Sequence, residues 1–259
     1  MKLKIKRKMT YEELVKKYDT KGSELSLILG YFRIELFLTN LLLNTNISAN
    51  QVTIFSCILG VLGCIFFSLA RYNFMYLGAF LFIMWAFLDY IDGNIARAKN
   101  MTSMTGRYLD LMNMHVIGIF TLVSIGIALN NLPSDQGQSL LLKLFPDFLV
   151  FDPLVISLVG GLAYAMKQFL KDHFSLYVLI PSNIKISEMT IKRNNMMGKF
   201  YYLLSGIFDF VRLYTVLIMI SLLLNKLYIY IYVFSIAYIL DTIRQTIYIS
   251  KKLYLFSRS

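Results

Sequence analysis

The sequence predicts an all-α, polytopic membrane protein with six transmembrane helices and an N-terminal interfacial amphipathic helix. Three observations carry that expectation. Of 259 residues, 57% are hydrophobic and only 16% charged, too little polar surface for a soluble domain of this length. Uncharged apolar runs close to the length of a bilayer crossing recur along the chain. Lys and Arg gather in alternate connections, as they do where a chain threads a membrane. Composition divides the chain into a basic segment with a juxtamembrane helix, residues 1–46, and a six-helix membrane domain, residues 47–259.

The elements follow in order. Residues 1–24 are polar and basic, with Lys2, Lys4, Lys6, Arg7 and Lys8 ahead of a capping box at Thr10 and Glu13. No apolar core follows this basic start, so no signal peptide is expected. Residues 25–45 mix Arg33, Glu35, Thr39 and Asn40 with Leu36, Phe37, Leu41 and Leu42, the pattern of a helix lying along the membrane surface. Ile47-Ser48-Ala49-Asn50-Gln51-Val52-Thr53 leads into the first span, about 52–69, and Asn50 is of a type that caps helices. The second span, about 74–88, runs directly into Asp89. A polar link, 98–105, precedes the third, about 108–128. A loop over 130–152 leads to the fourth, about 153–166, where Gly160 and Gly161 permit close helix packing and Lys167 and Lys171 mark a border. A second polar segment covers 172–199. The fifth span is about 201–224 and the sixth about 227–249. Alternating Tyr and Ile from Tyr228 to Tyr232 suit an interfacial belt.

With six spans, the N-terminus, the turn carrying Arg97, Lys99 and Arg107, the 167–199 segment and the C-terminus fall on one side. The other side carries Arg71, Lys143 and Lys226. Both termini and the Asp89 region are therefore expected in the cytoplasm. The same distribution accounts for the +11 net charge through anionic headgroups, and nucleic acid is not expected as a partner. Cys57 and Cys64 share one rigid helix too far apart to bond, so both are expected as buried thiols. Within the spans, Asp209 with Arg212 and Asp241 with Arg244 read either as i,i+3 ion pairs or as a means of presenting an arginine to phosphate. Structural roles are expected for His115 and His173.

The chemistry concentrates in Asp89-Tyr90-Ile91-Asp92-Gly93-Asn94-Ile95-Ala96-Arg97, followed by Gly106 and Asp110. Asp89 and Asp92 are three apart and share a helix face, and Asp110 can meet them across a short turn. Converging hard oxygens suit Mg²⁺, Mn²⁺ or Ca²⁺ rather than zinc. Gly93 lets a bulky group near the backbone, and the Arg97 fork suits phosphate. The plainer reading is a capping acid with scattered charges at a membrane border.

These residues resemble the motif of the CDP-alcohol phosphotransferase family, D-x2-D-G-x2-A-R-x8-G-x3-D-x3-D. Asp89, Asp92, Gly93, Ala96, Arg97, Gly106 and Asp110 match it with every gap the right length, and Met114 stands where the fourth aspartate belongs. Residues 47–53 also resemble the family, with Ala49 where proline is often found. The resemblance implies that Asn50 and Thr53 face the nucleotide with Gly93, Ala96, Arg97 and Gly106. It implies that Asp89, Asp92 and Asp110 hold one or two Mg²⁺ or Mn²⁺ ions, and that these carboxylates and Arg97 are catalytic. A hydroxyl would attack the β-phosphorus of a CDP-alcohol, CDP-diacylglycerol or similar, and CMP would leave, in the synthesis of phospholipid or a related phosphodiester. Two metals about 4 Å apart can clamp both oxygens of such a transfer. Met114 cannot act as base. Asn113 shares the face of Asp110 and offers a coordinating oxygen, while either a remaining aspartate or a rearranged His115 would take the proton or the acceptor needs little help. Expected partners are the CDP-alcohol donor, a hydroxyl acceptor, membrane lipids and a second copy in a homodimer. Two rivals stand beside this reading: a non-catalytic homologue that binds CDP-alcohol or lipid or supports a partner enzyme, and a transporter, which leaves the motif register unexplained.

Overall fold

Inside a bilayer a chain must satisfy its backbone hydrogen bonds within itself, and an apolar run does so as a helix. A computed structural model of the chain describes residues 31–132, 152–174 and 211–256, and among these every element is helical. The helices are α1 (Tyr31–Leu43), α2 (Ala49–Ser68), α3 (Tyr72–Ala98), α4 (Met104–Asn131), α5 (Pro153–Phe174), α6 (Val211–Leu223) and α7 (Leu227–Phe256). Five stretches are long and apolar enough to cross a membrane: Ala49–Ser68, Tyr72–Ala98, Met104–Asn131, Pro153–Leu170 and Leu227–Lys251. That is the mark of an integral membrane protein. The expected fifth span, 201–224, is described only as α6, whose apolar part Tyr214–Leu223 is too short by itself to cross. The basic segment 1–24 with its capping box, the polar segment over 175–199 and Asp209 lie outside the described residues.

The described residues form two compact units. The first holds residues 31–60 and 84–114. Its core is Val52, Ile91 and Ile95, with Leu38, Leu42, Ala49 and Leu88 packed around them. α1 buries Glu35, Leu36 and Thr39 and turns Ile34, Phe37 and Leu41 outward, so its exposed side is apolar. α2 starts with a reciprocal capping box. The Ser48 hydroxyl accepts from the Gln51 amide at 3.3 Å, and the Gln51 side chain accepts from the Ser48 amide at 2.9 Å. The cap is thus Ser48, not Asn50, and Ala49 takes the first helical position, where proline is also favoured.

α3 continues unbroken through the whole Asp89–Arg97 stretch, well beyond the expected end of the second span at about 88. It stops because Asn100 adopts a left-handed conformation (φ 52°). The Met101 amide then bonds the Ala96 carbonyl at 2.9 Å and the Asn100 amide bonds the Arg97 carbonyl at 3.3 Å, a Schellman closure. Ser103 caps α4, accepting from the Gly106 amide at 3.0 Å, so the link between helices is shorter than the 98–105 expected. Lys99 does more than mark a side of the membrane. Its ammonium donates to the carbonyls of Thr45 (3.2 Å) and Ile47 (2.7 Å), which fastens the α1–α2 loop to the end of α3.

The second unit holds residues 61–83 and the described residues from 115 onward. Small residues bring its helices together. A side chain at Gly118 would strike the Tyr164 ring, one at Gly126 would strike Ser157, and one at Gly160 would strike Ser235. Gly161 has ordinary room, so only the first of the two expected glycines is needed. Asp152 caps α5 through the Leu154 amide at 2.7 Å, with Pro153 at the first helical position. Tyr228, Tyr230 and Tyr232 are buried rather than forming an interfacial belt. Tyr230 stacks on Phe234 and packs against Tyr214, because the start of α7 meets α6 here.

Lys167 also differs from expectation. It does not mark a border: it is 1% exposed, with its ammonium 2.9 Å from Asp241 and 5.7 Å from the centre of the Tyr238 ring. The other Asp241 oxygen takes Arg244 at 2.7 Å. The i,i+3 pair read from the sequence at Asp241 and Arg244 is therefore present, joined across helices by a lysine. Cys57 and Cys64 are free thiols and both are partly buried. The side chains of Arg212 and His173 lie outside the described residues.

Candidate functional site

In the first unit, the start of α2, the end of α3 and the start of α4 enclose a cavity of about 450 Å³. Asn50 and Thr53 face it from α2, Asp92, Gly93, Ala96 and Arg97 from α3, and Gly106 and Asp110 from α4. Eight of the nine residues singled out in the sequence thus line one space. Helical repeat explains the selection, since Asp92, Gly93, Ala96 and Arg97 lie three and four apart on one side of α3. Gly106 lies where a Cβ would stand 3.0 Å from the Asn50 side-chain oxygen and 3.1 Å from the Ser103 hydroxyl.

Charges of both signs meet here. The buried Asp92 carboxylate accepts from the Thr53 hydroxyl at 2.5 Å. Asp92 feels the negative charge of Asp110 and the positive charge of Arg97, and Asp110 feels both Arg97 and Arg107. Arg97 is exposed and donates to the Asn94 side chain at 2.9 Å. Its guanidinium lies over Gly93, where a Cβ would stand 3.2 Å from it. The glycine therefore makes room for the arginine of its own helix. Arg107, Thr102 and Ser103 also line the cavity and were not singled out. Their signal was position alone, in the polar turn beside Gly106.

Asp89 is not among the lining residues. It engages a buried polar group instead. The Asn113 amide nitrogen donates to Asp89 at 3.1 Å and to the Ser56 hydroxyl at 2.9 Å, while the Asn113 oxygen accepts from the Trp85 indole at 3.2 Å. The oxygen expected to offer coordination is committed to the indole. Among the described residues, no cluster of three or more His, Cys, Asp or Glu side chains stands ready to hold a metal ion.

This polar cavity, walled by the register Asp92, Gly93, Arg97, Gly106 and Asp110, lies wholly inside a stretch that a family model matches. Residues 46–168 are a CDP-alcohol phosphatidyltransferase domain. No curated protein matches the chain.

The CDP-alcohol phosphatidyltransferase domain runs from the loop before α2 into α5. It contains every residue that lines the cavity and the Asn113 group beside it. The family is one of membrane transferases acting in phospholipid synthesis, and the apolar helices agree with that setting. Met114 and His115 both fall within the domain, but neither lines the cavity.

Proposed function

We propose that the protein is an integral membrane phosphotransferase, moving a substituted phosphate from a CDP-alcohol to an acceptor hydroxyl and releasing CMP. The observation that carries this reading is the convergence of Asp92, Asp110, Arg97 and Thr53 on one cavity inside the family domain. In the balanced reaction a bond forms between the acceptor oxygen and the β-phosphorus. The bond from that phosphorus to the bridging oxygen breaks, and CMP leaves with that oxygen. Arg97 and Arg107, both exposed at the cavity, would neutralise the diphosphate. Asp92 or Asp110 would take the acceptor proton, because Met114 cannot.

The donor set fits Mg²⁺ or Mn²⁺. The acidic groups facing the cavity are carboxylates, the other polar groups are amides and hydroxyls, and Mg²⁺ commonly uses one or two carboxylates, completing its shell with water and substrate phosphate. Asp92 and Asp110 would hold it, and Asp89, outside the cavity lining, would not. Bound there, a divalent ion supplies charge stabilisation at the oxygens of the transferring phosphoryl group. The basic N-terminal segment, Arg97, Lys99, Arg107 and the C-terminal Lys251 favour a cytoplasmic active site and cytoplasmic termini in a six-span arrangement.

Met114 favours a second reading, a non-catalytic homologue that binds CDP-alcohol or lipid. One assay separates the two: CMP release from CDP-linked donors over a panel of acceptor alcohols, with Mg²⁺ and with chelator. Metal-dependent CMP release is expected from the wild type. Met114→Asp, one turn beyond Asp110, is expected to raise it, since a positioned base contributes about 10²–10⁴-fold. No CMP from either protein would leave the binding homologue.

A further inference from the structure

We infer that Lys99 is a positioning residue, clamping the α1–α2 loop to the end of α3 so that Asn50 and Thr53 keep their register at the cavity wall. Its effect on ligand affinity rests on the proposed CDP-alcohol reading. Lys99 belongs neither to the motif nor to the residues that line the cavity.

The clamp has a fixed base and two convergent acceptors. The Lys99 amide still bonds the Ile95 carbonyl at 2.9 Å, so the last turn of α3 holds the backbone that carries the side chain. The ammonium has three donors, and two go to the carbonyls of Thr45 (3.2 Å) and Ile47 (2.7 Å). Both carbonyls lie past the end of α1 and ahead of the Ser48 cap, outside either helical ladder. The other bonds that shape the loop are local. The Thr45 hydroxyl donates to the Leu42 carbonyl at 2.7 Å, the Ile47 amide donates to the Thr45 hydroxyl at 3.3 Å, and Ser48 and Gln51 cap each other. Those bonds span two or three positions, whereas the Lys99 bonds span 54 and 52. Local bonds give the loop its shape, and Lys99 gives it its place on α3.

That place matters because α2 begins at once. Asn50 and Thr53 follow Ile47 by three and six positions, and both face the cavity. Tolerances there are small. Thr53 donates to Asp92 at 2.5 Å, and a shift of about 1 Å takes an O–H···O contact out of hydrogen-bond range. Across the cavity, a Cβ at Gly106 would already stand 3.0 Å from the Asn50 oxygen. Packing of Val52 on Ile91 and Ile95 holds α2 against α3, but apolar contact is non-directional and fixes register less sharply than a directed bond. Two directed ties do so: Thr53 to Asp92 at the cavity, and Lys99 to the loop ahead of it. Without the second, the binding arrangement is one of several, and apparent affinity falls with the fraction of molecules that adopt it.

The test uses the full chain in detergent, with CMP alone as the probe, in Lys99→Met and Lys99→Arg. Methionine keeps much of the stem and removes the donors, whereas arginine keeps both charge and donors. Calorimetry is expected to show CMP binding about tenfold weaker in Lys99→Met at unchanged stoichiometry, the scale of one hydrogen bond to a charged group. Lys99→Arg is expected to recover most of that affinity. Hydrogen exchange over residues 48–53 is expected to quicken in Lys99→Met and to slow again in Lys99→Arg. If Lys99→Met does not fold, Lys99→Gln, which keeps a neutral donor, takes its place with the same expected direction. Fewer sites at unchanged affinity would make Lys99 a stability residue and overturn the inference, as would wild-type affinity in a folded Lys99→Met. A wild type that binds no CMP removes the CDP-alcohol reading. Exchange then decides the clamp by itself, and unchanged exchange in Lys99→Met overturns it.

Discussion

Thr53 shows how much a single hydroxyl can decide. It is buried on α2 and donates to Asp92, which is also buried and feels the repulsion of Asp110. Hydrogen bonds to a charged group contribute about 1.5–3 kcal/mol, and a carboxylate left without one bears a desolvation cost. Thr53→Val keeps the shape and removes the donor. It is expected to lower the thermal midpoint and to reduce CMP release about tenfold or more. Thr53→Ser, which restores the donor, is expected to recover most of both. Unchanged turnover in Thr53→Val would remove Thr53 from the site. At this scale the sequence was informative wherever a residue type has one common use. Asp, Gly and Arg at fixed gaps named the charged centre of the cavity wall and its two glycines, all but Arg107. It was less informative where a residue has several uses. Asn50 suited either a cap or the nucleotide, and it lines the cavity while Ser48 takes the cap; Gly93 accommodates Arg97.

Among elements, the contact between α5 and α7 turns on one buried charge. Lys167 from α5 meets Asp241 on α7, and nearby the Thr242 hydroxyl donates to the Ala163 carbonyl at 2.8 Å. Gly160 lets Ser235 lie against the α5 backbone, which is why the two helices approach so closely. Removing one member of a buried ion pair typically costs about 3–5 kcal/mol, since the other charge stays desolvated. Lys167→Met is therefore expected to destabilise the protein by about 3 kcal/mol. Replacing Asp241 as well is expected to lessen the loss, because the stranded carboxylate goes too. Equal thermal midpoints for wild type and Lys167→Met would show the pair to be energetically idle. From sequence, Lys167 read as the edge of a span, because hydropathy weighs a lysine without knowing what faces it. An aspartate 74 positions later supplies that facing charge.

For the whole molecule, the open quantity is the number of crossings. Five helices among the described residues are long and apolar enough, and the sixth expected crossing is described only over α6. Topology can be measured directly in a background with Cys57 and Cys64 replaced. A cysteine at Met104, 80% exposed at the start of α4, is expected to react from the cytoplasmic side. One at Ser134, beyond the far end of α4, is expected to react from the other side. Labelling of both from one side would contradict α4 as a crossing and remove the six-span arrangement.

The sequence by itself determined the helical class, the membrane setting and the cavity-lining motif. Those properties rest on composition, on runs of apolar residues and on spacings within about one helical turn. Such spacings survive folding unchanged, because a helix holds residues three and four apart on one side whatever it packs against. Tertiary structure alone decided which polar side chains meet across helices. It tied Asp89 to Asn113 and Trp85, and Lys167 to Asp241. It also buried Tyr228, Tyr230 and Tyr232 in a core where alternating Tyr and Ile suggested an interfacial belt. These pairings span 24, 28 and, for Lys167 and Asp241, 74 positions. They depend on helix packing, which is set by where a glycine lets one backbone approach another, and no local pattern in the chain records it.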